Sequence, residues 1–255
     1  MVSIEFNSLS ESAEKKIKFY TDDKISYFIS SMLAGIYVGI CMITILVMAG
    51  MLNDFAGIKI LQGVSFAAAL SLVVFAGADL FTGNVFVMAA GIMLKTVKPG
   101  PALRLCGFCY LGNFAGSFLV AALFWGTGYL KDYVLLAATN SIAAKTSPLY
   151  GELFVRGILC NILVCAAVWC VYRLKSESAK LILIFWSIYL FVICGFEHCI
   201  ANMTLFSLGF MSSGADGINS LGLMLKNLAA TTPGNILGGV MLALAYWSIS
   251  RKSRL

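Results

Sequence analysis

The chain has 255 residues, 60% of them hydrophobic and 12% charged, with a formal net charge of +6. A soluble globular domain of this length does not carry so apolar a composition, so the sequence reads as an all-α integral membrane protein in a lipid bilayer, and its positive charge needs no nucleic-acid partner. A spanning helix takes roughly 20 apolar residues, and six apolar zones follow one another at about 27–52, 58–94, 102–126, 152–173, 180–211 and 222–249.

The first 24 residues are too polar for a cleaved signal peptide. Ser10 to Tyr20 is predicted to be a short surface helix opening on a Ser10-Glu11-Ser12 cap, and a membrane-surface anchor is a simpler reading of it than a plug. If each zone crosses once, both termini and the connections near 95–104 and 173–180 share one side. Thirteen of the 18 Lys and Arg then lie there: Lys15, Lys16, Lys18, Lys24, Lys95, Lys98, Arg104, Arg173, Lys175, Lys180, Arg251, Lys252 and Arg254. By the positive-inside rule that side is cytoplasmic. This divides the chain into an amphipathic segment 1–24, a channel domain 25–250 (repeats 25–126 and 152–250) and a tail 251–255.

The second zone is too long for one crossing and too short for two with an exposed loop. Gly77-Ala78-Asp79-Leu80-Phe81-Thr82-Gly83-Asn84 interrupts it, and the fifth zone carries the matching Gly195-Phe196-Glu197-His198-Cys199-Ile200-Ala201-Asn202. In both, a carboxylate follows the glycine by two places and Asn follows five later. Gly112-Asn113-x-x-Gly116 likewise recurs as Gly234-Asn235-x-x-Gly238, and Gly35 to Gly39 is matched with Gly157 to Asn161. Duplicated halves, each with a broken helix, point to a transport site near the bilayer midplane. The polar groups freed by such breaks are tolerated only where protein buries them or a cavity solvates them. Asp79 and Glu197 are read as caps on the restarting half-helices rather than as a proton relay, with Asn84 and Asn202 meeting backbone groups exposed by the breaks.

His198 is the only histidine. An ionisable residue inside a span is functional by default, and an imidazole suits donating a hydrogen bond to an anion or sharing a proton with it. A metal site is not expected, since one histidine offers no clustered ligand set. The eight cysteines lie in or beside apolar segments and form no disulfide framework, and Cys106-Gly-Phe-Cys109 lacks the soluble setting of a redox motif. A Cys199–His198 nucleophile is disfavoured because neighbours on a helix point apart. A channel for neutral solutes of the water or glycerol type shares the hourglass logic, yet neither break contains the proline of its usual Asn-Pro-Ala.

Residues 77–84, 160–169 (Cys-Asn-Ile-Leu-Val-Cys-Ala-Ala-Val-Trp), 195–203 and 233–239 resemble the formate/nitrite transporter family. The resemblance implies an aquaporin-like bundle of two inverted repeats with transmembrane helices 2 and 5 broken, assembled as a homopentamer in the bacterial inner membrane and passing small monovalent anions without a cofactor. It implies that Thr82 and His198 meet at the pore centre. Phe66 and Leu70 would form one constriction and Phe191 part of the other. Lys145, otherwise a loop lysine, would attract anions in a vestibule, and Asn161, Asn202 and Asn227 would lie close to the path. Where formate-type members commonly have Ser after Leu-Phe-Thr, this chain has Gly83-Asn84, and it has Pro233 where they have Leu. In this it looks more like the hydrosulfide-channel branch.

Overall fold

A computed structural model describes residues 2–53, 55–212 and 215–252, without the side chains of 215–220 and Lys252. Arg254 and the tail beyond Lys252 lie outside the described residues. The described residues form helices and no strands. In chain order these are α1 Val2–Asp22, α2 Lys24–Met51, α3 Ile58–Phe66, α4 Ala68–Phe75, α5 Phe81–Met93, α6 Pro99–Gly126, α7 Asp132–Thr146, α8 Tyr150–Arg173, α9 Glu177–Ile193, α10 Cys199–Ser212 and α11 Ala215–Lys252.

Helix α1 corrects the expectation of a short surface helix. It begins at Val2, well before the Ser10 cap, because Phe6, Leu9 and Ala13 fall on one face and are fully buried. Ser10 is mid-helix and buried, its hydroxyl 2.7 Å from that of Thr96. The helix packs against α5 and α11, and Tyr172 on α8 donates to Ser12 Oγ at 2.8 Å. Asp23 separates α1 from α2. It accepts from the hydroxyl of Ser26 at 2.6 Å and its N–H at 3.0 Å, which caps α2 and holds the Asp23 carboxyl below the ordinary carboxylate range.

Five stretches among the described residues are long and apolar enough to cross a bilayer: Lys24–Met51, Ile58–Phe75, Pro99–Gly126, Tyr150–Arg173 and Leu221–Arg251. The fifth apolar zone divides into α9, of 17 residues, and α10, of 14, and the second zone likewise leaves α5 with only 13. At 1.5 Å per residue α5 reaches roughly 20 Å, short of a hydrocarbon core. The segment before Lys145 is helical rather than a loop, consistent with its alanine-rich run from Leu135 to Ala144.

Helices α2 and α6 pack closely, and so do α8 and α11. Glycine makes both approaches possible: a Cβ at Gly116 would strike the Met32 carbonyl oxygen, and one at Gly238 that of Ile158. These contacts correct one pairing read from the sequence. Met32 answers to Ile158 and Ser31 to Gly157, so Gly35 corresponds to Asn161 rather than to Gly157. The shift arises because contact between helices, not the spacing of small residues along one of them, fixes the register.

Candidate functional site

Two glycines set the geometry of the breaks. Gly77 has φ of 74° and Gly195 of 66°, backbone that a side chain rarely tolerates. The chain closes α4 and α9 in the same way, with Ala78 N–H donating to Val73 O at 2.9 Å and Phe196 N–H to Phe191 O at 3.0 Å. It then crosses to the neighbouring helix, where Asp79 N–H donates to Ser30 O at 3.2 Å and Glu197 N–H to Arg156 O at 3.3 Å.

The restarting helices are capped by neither carboxylate. Asn113 on α6 accepts from Phe81 N–H at 2.8 Å while its amide donates to Asp79 O at 2.9 Å and Ser31 O at 2.7 Å. Asn235 on α11 repeats the arrangement, accepting from Cys199 N–H at 3.0 Å and donating to Glu197 O at 2.9 Å and Gly157 O at 2.8 Å. The break exposes a donor and acceptors together, and an amide can serve both whereas an ionised carboxylate only accepts. The recurring Gly-Asn pairs at 112–113 and 234–235 were the sequence signal for these caps.

The carboxylates instead organise lysines and amides. Asp79 pairs with Lys16 of α1 and accepts from Ser30 Oγ at 3.1 Å and Asn84 Nδ2 at 3.2 Å. Glu197 pairs with Lys145 of α7 at 3.0 Å and accepts from Asn202 Nδ2 at 2.6 Å and Asn227 Nδ2 at 3.3 Å. Asn227 also donates to Lys145 O at 2.7 Å, fastening α7 to α11. The side chains of Asn84 and Asn202 therefore hold carboxylates, not the freed backbone. Both carboxylates are buried, and a buried charge persists only when paired and hydrogen-bonded in this way.

Thr82 Oγ1 and His198 Nε2 are 3.1 Å apart and buried. Ala201 N–H donates to His198 Nδ1 at 3.3 Å, so a neutral imidazole carries its proton on Nε2 and presents it towards Thr82. Phe191 stacks on the imidazole with centroids 5.9 Å apart. Asn161 sits behind the site, donating to Thr82 O at 3.2 Å and Asn235 O at 2.6 Å.

Three cavities follow one another along this axis. One of about 290 Å³ is lined by Ser12, Lys16, Leu70, Leu80, Asn84 and Tyr172 among others. One of about 280 Å³ is lined by residues including Lys145, Arg156, Phe66, Phe191, Glu197 and His198. Between them a space of about 10 Å³ is walled by Val38, Phe66, Leu70, Leu80, Phe191 and His198. Phe66 therefore belongs with Phe191, edge to face at 5.9 Å, rather than with Leu70. Leu70, one turn further along, shares the opposite end with Leu80, a residue the sequence reading did not single out. Lys16 and Arg156 were also passed over as site residues, because nothing in their local sequence announces the cavities they line. Among the described residues, no three His, Cys, Asp or Glu gather to hold a metal ion.

The profile of the formate/nitrite transporter family matches residues 4–248. The chain is 35% identical over 250 residues to the nitrite transporter NirC of Salmonella typhimurium, covering 97% of this chain and 91% of that one. A solved FNT family ion channel superposes with a TM-score of 0.89 at 34% identity, covering 96% of this chain and 98% of that one. A pentameric formate channel with formate bound gives a TM-score of 0.75 at 27% identity, over 88% of this chain and 96% of that one.

Proposed function

This chain belongs to the formate/nitrite transporter family, a family of transporters and not of enzymes, and on that premise we propose that it is a channel for small monovalent anions or their conjugate acids. The observation that carries the reading is the buried Thr82–His198 contact beside a space of about 10 Å³, closed by apolar side chains and opening on either side into a wider cavity. Leu70 and Leu80 form one constriction, Phe66 and Phe191 the other. In this reading the halves are inverted repeats of a six-span bundle, with spans 2 and 5 broken at Gly77 and Gly195. Five subunits assemble, as in the pentameric formate channel, each with its own path. Both termini lie on the cytoplasmic side of a bacterial inner membrane, with α1 at the inner vestibule.

A bare anion entering the apolar constrictions would lose hydration worth many kcal/mol. His198 Nε2–H and the Thr82 hydroxyl offset part of that loss with hydrogen bonds to the anion in place of the one between them. The positive ends of α5 and α10 point the same way. Taking up a proton from vestibule water would lower the barrier further, because a neutral acid passes Phe66, Leu70, Leu80 and Phe191 with little desolvation, while His198 keeps its Nε2 proton and remains a hydrogen-bond donor. Among candidate anions we favour hydrosulfide, with nitrite and formate as further cargo, on the strength of Gly83-Asn84 and Pro233.

The test is flux of formate, nitrite, hydrosulfide, chloride and glycerol into liposomes holding the purified protein, at pH values from about 5 to 8. Anion flux that depends on pH, fastest for hydrosulfide, is expected. Rapid glycerol or water movement without anion flux would favour a neutral-solute channel instead.

A further inference from the structure

A vestibule attracts an anion only through charge that nothing nearby has neutralised. In the cavity of about 280 Å³ the basic lining residues are Lys59, Lys145 and Arg156, and the acidic one is Glu197. Lys145 Nζ lies 3.0 Å from Glu197 Oε1, so the fields of the two largely cancel a few ångströms away. Arg156 has no such partner: among the described residues no carboxylate reaches ion-pair distance of its guanidinium, and no group accepts a hydrogen bond from it. Its backbone is nonetheless fixed to the break, because its carbonyl accepts Glu197 N–H at 3.3 Å. Lys59 is exposed on α3, whereas Arg156 is half-buried.

The first half lacks this charge. Ser30 takes the backbone role of Arg156 there and donates its hydroxyl to Asp79 at 3.1 Å. The cavity on that side is lined by one basic residue, Lys16, which is paired with Asp79. Among the described residues, one vestibule thus carries an unpaired guanidinium and the other does not.

We infer that Arg156, rather than the ion-paired Lys145, is the residue that draws small monovalent anions into this vestibule. A guanidinium stays charged at any physiological pH. Apolar walls formed by Met42, Leu46, Phe191 and Phe196 concentrate its field along the path. The inference rests on the anion-channel reading above.

The experiment is nitrite and formate flux in liposomes holding wild-type protein, Arg156→Gln or Arg156→Lys. It is run over a range of anion concentrations at ionic strengths of about 0.01 M and about 0.15 M, where the Debye length is roughly 30 Å and 8 Å. Arg156→Gln is expected to lower low-salt flux at sub-saturating anion about fivefold and to remove most of the salt dependence, while saturated flux changes by less than about twofold. Arg156→Lys keeps the charge and is expected to retain both. Wild-type salt dependence in Arg156→Gln would overturn the inference. So would an equal loss at all concentrations, or an Arg156→Lys protein that behaves like Arg156→Gln. Wild-type protein that moves no anion would instead sink the channel reading itself.

Discussion

The two breaks are built alike and equipped differently. Each turns on a positive-φ glycine, buries a carboxylate against a lysine from a helix outside the pair, and caps its restarting helix with an asparagine amide. Aligned on those shared residues, His198 in the second break stands where Leu80 stands in the first, and Thr82 stands where Ile200 stands in the second. Each half thus contributes one polar side chain, at different registers, and the two meet at 3.1 Å. The shared parts hold an interrupted helix in an apolar setting, and the two polar side chains stand at positions where the halves differ.

The two breaks should differ most at their lysine–carboxylate pairs. Lys145→Met leaves Glu197 buried without its counter-charge and is expected to destabilise the protein by about 3–5 kcal/mol, with Glu197→Gln added to it recovering at least half. Lys16→Met is expected to do less, because the Asp79 side chain is the less deeply buried of the two carboxylates, at 6% exposure against 3% for Glu197. Thermal unfolding of the detergent-solubilised protein reads both, and a larger loss for Lys16→Met would mean that the halves have been ranked wrongly.

The two asparagine caps, by contrast, should behave alike. Asn113→Leu and Asn235→Leu each remove a cap and two donated hydrogen bonds, so each is expected to cost roughly 3 kcal/mol, and the two costs should agree to within about 1 kcal/mol. The same unfolding assay measures them. If one substitution proved neutral, the two amides would not be equivalent supports.

A smaller effect is expected at the centre. Thr82→Val keeps shape but removes a hydroxyl worth about 1 kcal/mol to a passing anion, so anion flux should fall about fivefold, while Thr82→Ser should keep most of it. Unchanged flux in Thr82→Val would leave His198 to act alone.

Much of this arrangement was legible in the chain. The Gly-carboxylate-Asn spacing marks the two places where one helix ends and the next starts, and the repeated Gly-Asn pair marks the asparagines that cap the second of each. What the sequence could not reveal depends on contacts between distant segments. The buried face of α1 is only moderately apolar, and its docking on α5 and α11 is decided by what those helices present to it. The same holds for Lys16, whose partner lies across the fold, and for Phe66 and Leu70. These two are one turn apart on adjoining helices, so spacing alone did not reveal that they close opposite ends of the same small cavity. Gly35 and Gly157 look like counterparts because small residues recur at similar intervals on many packed helices, and only the Met32 and Ile158 contacts reveal the true register.

In the proposed channel His198, at a position where the two halves differ, passes the anion between two apolar constrictions. Its most direct test is nitrite, formate and hydrosulfide flux through His198→Phe in liposomes, with assembly verified by size-exclusion chromatography. Loss of a hydrogen bond worth about 1.5–3 kcal/mol to a charged species predicts flux at least about tenfold lower, or selectivity shifted towards neutral solutes. Wild-type anion flux with wild-type pH dependence in that variant would remove His198 from the mechanism.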